Sequence, residues 1–439
     1  MLNLPLSSLS DDLLAYIVEH VSKFPFQNKH LHNLSLADRA FTNFCQKYLF
    51  RTFRLSSNSG SKRSASKELE KKRKILMDKP SFANWVRKVQ LHISHKQEPW
   101  LLNQSALIEL FQLFAKSPMP PHELHFCGPA FFPLTISDPI LVVGRLSQSF
   151  FSQSLTILHL TECKNIPLPL FFVFPGLREM LLDHVGATDK TYDEYPDKHC
   201  FGQGPLALQH FNYRDSQSLV KQMLTPPPRF GTPLLLWSKL RVLRLSPHEK
   251  EEMGCLQPIL DGACDSLEEL YLTNLHVGNS EQVPLAKLVN LGRLVRLRVF
   301  ALYAIIECQP KGFATIHDIN IVLGTLPASN AVTNFSFELE INGKRPFGGC
   351  LEQDWVGMCD EVMRISAGKP LELEMMLTVS TGELVSQHPG EDELYIHIME
   401  RIASLSAFPK ICTHVWNPTC WTRGLGPFPR GQVRSPCRK

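Results

Sequence analysis

The pattern Leu-x-x-Leu-x-Leu recurs through most of this chain of 439 residues and constrains its fold more than any other feature. The clearest copy begins at Leu155, continues with Leu158 and Leu160, and ends at Cys163. Side chains alternate between the two faces of a strand, so the apolar side chains of each copy can point into one shared core. The pattern therefore predicts a series of short strands that build a common hydrophobic core.

The copies are spaced irregularly. Further copies begin at Leu177, Leu240, Leu267 and Leu297, and weaker ones begin at Val86, Leu208 and Val332. The intervals range from 22 residues after Leu155 to 35 residues after Leu297. Such intervals leave room for a crossover helix, which parallel strands need between them. The residue patterns predict helices at Ser105–Ala115, Glu251–Asp261 and Ile316–Leu326.

These copies resemble leucine-rich repeats, whose familiar period is about 20–29 residues. The resemblance implies an α/β fold for residues 81–411, an irregular solenoid with a curved parallel sheet and outer helices. Loops carry specificity in such folds, so the polar insertions at 186–204 and 225–233 are candidate target-binding loops. A doubly wound α/β domain also alternates strands and helices, but its Gly-rich phosphate loop is missing from the sequence.

The N-terminus shows a helical pattern instead. Ser10 is a natural N-cap, and Asp11 and Asp12 place negative charge at the positive end of the helix dipole. The apolar residues that follow at helical spacing are Leu13, Leu14, Ile17, Val18 and Val21. Two further helical pieces are predicted at Leu31–Cys45 and Tyr48–Leu55. Helices this short are marginal alone, so they must pack on each other or on a partner.

Together the three pieces resemble the F-box motif, in the form common among F-box-like proteins of basidiomycete fungi. The matching residues are Leu9, Asp12, Leu13, Leu14, Ile17, Val21, Leu34, Leu36, Arg39, Phe41, Leu49, Phe50 and Arg51. Three features depart from the motif. Ser10 stands where the family has proline, Phe41 replaces the usual tryptophan, and the connection from Val21 to Leu34 is longer than usual.

The resemblance implies that residues 1–55 form an F-box-like domain that docks a Skp-family adaptor, which links to cullin and its RING subunit. The chain would then be the non-catalytic substrate-recognition subunit of an SCF-type E3 ubiquitin ligase, and its repeats would hold an unknown protein substrate. The expected adaptor-binding residues are Leu9, Leu13, Leu14, Ile17, Val21, Leu34, Leu36 and Phe41. The alternative is a repeat scaffold without ubiquitin chemistry, its N-terminal helices serving as a cap. An α/β enzyme is the weakest reading, because the sequence contains no catalytic motif.

Residues 56–80 are predicted to connect the two parts. Ser56–Lys67 reads as a flexible linker and Lys67–Met77 as a charged helix. The helix is expected to bury Leu69, Ile75 and Leu76 and to pair Glu68 with Lys72 and Glu70 with Lys74. The basic run at 71–74 could instead be a nuclear import signal, but its spacing favours a solvated helix face.

Charge, apolar runs and cysteine spacing limit the classes of function and the location expected for the chain. The formal net charge of +4 is small for this length, so nucleic-acid binding is not implied. No apolar run reaches the roughly 20 residues needed to cross a bilayer, so no membrane contact is expected. The 12 cysteines include no C-x-x-C pair, and Cys45, Cys163 and Cys264 are predicted to be buried, reduced thiols. A cytoplasmic or nuclear location is therefore expected.

No metal site or cofactor is predicted. His92, His95, His122 and His125 are interpreted as surface histidines without companions at ligand spacing. Cys412, His414 and Cys420 lack a fourth ligand nearby. Residues 412–439 are expected to be a disordered basic tail or a truncated final repeat, since Phe408–Lys410 resembles the start of a strand.

Overall fold

The structure is a computed structural model of the chain. The chain forms two compact units. The first comprises residues 1–206 with 225–234, and the second comprises 207–224 with 235–439. The residues described are 9–24, 26–56, 62–93, 104–129, 134–136, 138–147, 149, 151–188, 205–225, 234–246, 254–274, 284–307, 315–342, 348–380, 391–403, 405 and 410–416.

The first unit begins with a helical segment, residues 9–49. It consists of α1 (Asp11–Val21), α2 (Gln27–Ala37), a 3-10 turn (Arg39–Phe41) and α3 (Thr42–Leu49). The predicted N-cap is confirmed, because the Ser10 side chain accepts a hydrogen bond from the backbone N–H of Leu13. The helix predicted at Leu31–Cys45 is interrupted at Asp38, whose carboxylate accepts from the backbone N–H of Ala40 at 2.8 Å. This local hydrogen bond ends α2 and starts the turn.

Parallel strands follow the helical segment in the first unit. They are β1 (Thr52–Ser56), β2 (Lys88–His92), β3 (Glu123–Cys127), β4 (Leu134–Thr135), β5 (Ile157–Ile166) and β6 (Glu179–Ala187). Their pairing order is β1-β2-β3-β5-β6, with β4 paired to β5 outside this path. The buried side chains alternate along each strand, as with Leu158 and Leu160 of β5. The apolar half of each strand thus faces the core, and the other half faces outward.

Helices occupy the connections of the first unit. They are α4 (Lys62–Asp78), α5 (Ser105–Ala115), α6 (Pro139–Ser147), α7 (Phe151–Ser154) and α8 (Pro169–Phe172), with a 3-10 turn at Pro80–Trp85. In α4 the predicted pair of Glu68 with Lys72 is confirmed at 2.7 Å. The predictions for Glu70 and Ile75 were wrong: Glu70 pairs with Arg73 at 2.9 Å, and Ile75 is exposed.

The second unit has the same construction. Its strands are β7 (His210–Arg214), β8 (Val242–Leu245), β9 (Glu269–Asn274), β10 (Val299–Glu307), β11 (Asn334–Asn342), β12 (Leu371–Ser380) and β13 (Ile411–Trp416). Each strand pairs in parallel with the next one along the chain. Its helices are α9 (Gln217–Leu224), α10 (Leu256–Gly262), α11 (Thr315–Gly324), α12 (Gly348–Leu351), α13 (Trp355–Ser366) and α14 (Glu391–Ile402), with 3-10 turns at Trp237–Lys239 and Leu285–Lys287.

Both units are therefore α/β, with parallel strands and helices between them, and this part of the predicted fold class is confirmed. The helix predicted at Ser105–Ala115 begins and ends as expected. The helix predicted at Ile316–Leu326 spans Thr315–Gly324. The helix predicted at Glu251–Asp261 spans Leu256–Gly262; Gly254 and Cys255 form a turn before it, and residues 251–253 lie outside the described residues.

Three boundary predictions were wrong. Thr52–Ser56 is a strand paired with β2 rather than the end of a helical piece. The charged helix begins at Lys62, inside the stretch interpreted as flexible linker. Ile411–Trp416 is a strand paired with β12, so the expected tail does not begin at 412; residues 417–439 lie outside the described residues.

Cys45 and Cys163 are buried free thiols, as predicted, whereas Cys264 is half-buried. In the part of the chain that the structure describes, no helix combines the length and apolar character needed to cross a membrane.

Candidate functional site

The N-terminal helical segment has a small core of its own. Its buried members are Leu14, Val18, Leu31, Phe41 and Cys45. Burial raises the pKa of the Cys45 thiol, which keeps it protonated and inert at neutral pH. Two of the predicted adaptor-binding residues, Leu14 and Phe41, therefore point into the segment, only 3% and 2% exposed.

Four other predicted residues are half-buried at the edge of this core. They are Leu9, Ile17, Val21 and Leu34. Each packs against the core with part of its side chain and leaves the rest accessible. These residues can contribute area to a docked partner without any rearrangement of the segment.

Large apolar side chains are exposed on the same segment. Leu13 is 51%, Tyr16 68%, Phe24 50%, Phe26 82% and Leu36 73% exposed. Of these five residues, Leu13 and Leu36 were predicted from the sequence as adaptor-binding residues, and the three aromatic residues were not. Contiguous exposed apolar side chains are uncommon on soluble monomers and are typical of binding surfaces.

Ring contacts connect part of this set into one surface. His20 stacks on Tyr16 with ring centroids 6.5 Å apart, and Phe24 meets His20 edge-on at 5.2 Å. Leu13 and Tyr16 are three residues apart on α1 and so lie on the same side of the helix. We call Leu13, Tyr16, His20, Phe24 and Phe26 the N-terminal apolar surface.

A shallow groove continues this surface towards α2. Its lining consists of Val21, Phe24, Phe26, His30, Asn33, Leu34 and Ala37. Leu36 is exposed but does not line the groove. Phe26 starts α2 in the left-handed region, with φ of 60°, which is rare for a bulky side chain. The backbone there holds an aromatic ring out towards solvent at a cost in strain.

Aromatic contacts connect the N-terminal helical segment to the part of the chain that leads into β2. The Phe50 ring lies 4.3 Å from the Phe82 ring and 6.4 Å from the Trp85 ring, measured between centroids. Phe82 and Trp85 belong to the 3-10 turn before β2. This aromatic contact joins the end of α3 to the first unit's sheet.

A polar cluster lies on the outward face of the first unit's strands. The carboxylate of Glu123 lies 2.6 Å from Nε2 of His125 and 2.9 Å from Nζ of Lys88. The rings of His125 and His159 have centroids 3.9 Å apart. We call Glu123, His125 and His159 the β3–β5 cluster. The interpretation of His125 as a surface histidine was wrong, since its side chain is 13% exposed.

The cluster's electrostatics follow from its burial. Burial alone would raise the pKa of Glu123, but the hydrogen bonds with His125 and Lys88 outweigh it and lower that pKa to about 2. Burial lowers the pKa of His125, and the contact with Glu123 opposes this only in part. At neutral pH Glu123 is therefore a carboxylate and His125 a neutral imidazole.

Carboxylates occupy outward positions of three strands of the second unit, β9, β11 and β12. They are Glu269, Glu338, Glu340, Glu372 and Glu374. Burial, and then the charge of Glu340, raises the pKa of Glu338 to about 7. The hydroxyl of Tyr303, which is paired with Glu338 across β10 and β11, donates a hydrogen bond to the carboxylate of Glu340.

Most residues of the two predicted target-binding loops lie outside the described residues. In the first, residues 186–188 are described and the acidic residues Asp189, Asp193, Glu194 and Asp197 lie outside the described residues. The three consecutive prolines of the second also lie outside them. Of the other histidine and cysteine candidates, Cys412 is exposed on β13, and His95 and Cys420 fall outside the described residues.

Comparison of the sequence with models of known protein families finds no match, and comparison with curated proteins finds none either. The F-box and leucine-rich-repeat resemblances thus stay predictions that rest on the residues quoted for them.

Proposed function

We propose that this chain is the substrate-recognition subunit of an SCF-type E3 ubiquitin ligase and that its N-terminal apolar surface docks a Skp-family adaptor. The observation that carries the proposal is the exposure of Leu13, Tyr16, Phe24 and Phe26 on a segment whose own core is complete without them. Fully burying one such side chain contributes about 1.5–3 kcal/mol, and a partner that covers several gains enough for a specific complex.

The proposal divides the F-box-like residues into two roles. Leu13 and the half-buried Leu9, Ile17, Val21 and Leu34 form or border the contact. Leu14 and Phe41 support it from beneath, because inserting either into a partner would first require opening the buried core. Helix-in-groove docking uses side chains at such i, i+3 and i+4 positions as anchors.

Target recognition is assigned to the rest of the chain. The outward halves of the strands carry polar, charged and aromatic side chains in regular cross-strand rows. Such rows offer hydrogen-bonding and charged groups to a protein partner without disturbing the apolar core. In the curved solenoid that the repeat pattern predicts, this face would be the binding face.

One observation favours a second candidate function, a repeat scaffold whose helical segment is a cap. Phe50 packs on Phe82 and Trp85, and the chain passes directly from α3 into β1. β1 is the first strand in the pairing order, and covering such an edge strand protects its unpaired backbone groups. A cap explains this contact but leaves the exposed Phe24 and Phe26 without a purpose.

Calorimetric titration of the full chain with a purified Skp-family adaptor separates the two functions. Under the proposal, the native chain binds one adaptor, and Leu13→Asp/Phe24→Asp weakens binding by at least about 30-fold, because each charge would be buried unpaired in the interface.

Asn43→Asp is the matched control. It adds a negative charge to the same segment at an exposed position of α3 that does not line the groove. This variant should bind like the native chain. Absence of binding by the native chain, or equal binding by the double variant, would favour the second candidate function, the repeat scaffold.

A further inference from the structure

The β3–β5 cluster brings together three metal-ligating groups that are far apart in the sequence. Glu123 and His125 stand two residues apart on β3 and therefore project from the same face. Parallel pairing sets His159 of β5 directly beside His125. Outward side chains at paired positions of neighbouring strands lie close enough for one ion to contact both.

The distances suit a shared ion. The donor atoms of Glu123, His125 and His159 all lie within 4.8 Å of one another. A tetrahedral zinc ion with bonds of about 2.0–2.2 Å would draw its ligand atoms to about 3.4 Å apart. A pair of ligand atoms as far apart as 4.8 Å would have to approach by about 1.4 Å, and those of Glu123 and His125, 2.6 Å apart, would have to separate slightly.

A second observation singles out His159. Its Nε2 atom is buried and has no hydrogen-bond partner among the described residues. The nearest carboxylate oxygen is Oε1 of Glu179 on β6, which lies 3.5 Å from this nitrogen. A buried ring nitrogen without a partner is costly, and coordination of a metal ion is one way to satisfy it.

We propose that Glu123, His125 and His159 bind a divalent transition-metal ion of the zinc type, with Glu179 as the nearest candidate for a fourth ligand. Two imidazoles with one or two carboxylates are a donor set that suits Zn²⁺ and Co²⁺. Mg²⁺ and Ca²⁺ prefer oxygen ligands alone and are expected to bind weakly.

Lys88 gives the proposal a distinctive consequence. Its ammonium group contacts the same Glu123 oxygen that faces His125, at 2.9 Å, and its side chain is 24% exposed. A metal ion must displace this ammonium or bind beside it, and both positive charges compete for one carboxylate. Removing the lysine's charge should therefore tighten metal binding.

The test is a titration of the purified full chain, stripped with chelator, with Zn²⁺ by calorimetry and with Co²⁺ by visible absorption. The native chain should bind one ion with nitrogen and oxygen ligands. His125→Gln and His159→Gln should each weaken binding at least tenfold, whereas Lys88→Gln should strengthen it several-fold. His32→Gln, at an exposed histidine of α2, should leave the affinity unchanged.

The Lys88 variant keeps the test decisive if a histidine variant folds poorly, because its expected effect is a gain in affinity in a chain that stays folded. Circular dichroism checks the fold of each variant. Unchanged affinity in both folded histidine variants, unchanged or weaker affinity in Lys88→Gln, or a Co²⁺ spectrum dominated by thiolate bands would overturn the proposal. The last result would place the ion on cysteines elsewhere in the chain.

Discussion

Glu338 and Glu340 project from the same outward face of β11, two residues apart, and only Glu340 receives the hydroxyl hydrogen bond of Tyr303. Burial and the charge of Glu340 together raise the pKa of Glu338 to about 7 from its ordinary 4.5. The fold therefore holds Glu338 as a neutral carboxylic acid over a range of pH in which the unfolded chain ionises it.

This relationship predicts a pH-dependent stability. A raised pKa of an acid in the folded state means that its stabilising effect is present below about pH 4.5 and is lost as pH rises through about 7. Glu338→Gln cannot ionise, so we expect a higher thermal midpoint than native at pH 8 and a smaller difference at pH 5. Melting curves at both pH values test this. An equal difference at the two pH values would contradict it.

Phe26 is expected to lower the free energy of unfolding of the chain while contributing to adaptor binding. A non-glycine residue in the left-handed region costs about 1–2 kcal/mol, and asparagine tolerates that region better than phenylalanine. Since the ring is 82% exposed, its removal loses little burial. We expect Phe26→Asn to raise the free energy of unfolding by about 0.5–1 kcal/mol and to weaken adaptor binding.

Phe24→Ala serves as the comparison for that prediction. Phe24 does not have a positive φ, so this variant should weaken adaptor binding without stabilising the chain. Denaturant unfolding and calorimetry on both variants separate strain from contact. Stabilisation by both variants, or by neither, would show that the backbone at Phe26 is not the cause.

The strands show what the sequence could and could not predict. Copies with leucine at alternate positions, such as the one beginning at Leu155, became strands because apolar periodicity reports directly on burial. Thr52–Leu55 was interpreted as helical, although Phe53 and Leu55 are buried and Arg54 is exposed in the alternation of a strand. Five residues carry too little periodicity to compete with a helical pattern immediately before them.

The candidate sites depend on tertiary packing and strand register, which local sequence patterns do not show. Leu13 and Leu14 are neighbours with equal hydropathy, and only the packing of α1 on α2 and α3 makes one exposed and the other buried. The β3–β5 cluster depends on the register that places His159 beside His125, a pairing across 34 residues of sequence. Local spacing carries no information on such long-range register.

Asp318 is predicted to anchor the 3-10 turn at Leu285–Lys287. Its buried carboxylate accepts hydrogen bonds from the backbone N–H groups of Leu285 at 2.5 Å and Ala286 at 3.0 Å. Asp318→Ala leaves both donors without this acceptor, and each loss costs about 1–3 kcal/mol. We expect a fall of about 2–4 kcal/mol in the free energy of unfolding, with Asp318→Asn losing less. Equal losses in the two variants would indicate that packing, not hydrogen bonding, matters there.

The contrast between Leu13 and Leu14 gives a direct test of which side of α1 is the core. Leu14→Asp places a charge among Val18, Leu31 and Phe41, at a cost of at least about 3 kcal/mol, so it should open the helical segment. Leu13→Asp places the same charge where the side chain is half exposed and should leave the segment closed.

Hydrogen exchange of the backbone amides in α1–α3 measures this opening locally, because a small segment can unfold while the strands beyond it stay protected. Fast exchange is expected across the whole segment in Leu14→Asp and native-like exchange in Leu13→Asp. If both variants exchange fast, Leu13 is part of the core, and the loss of adaptor binding in a Leu13 variant would report unfolding rather than a lost contact.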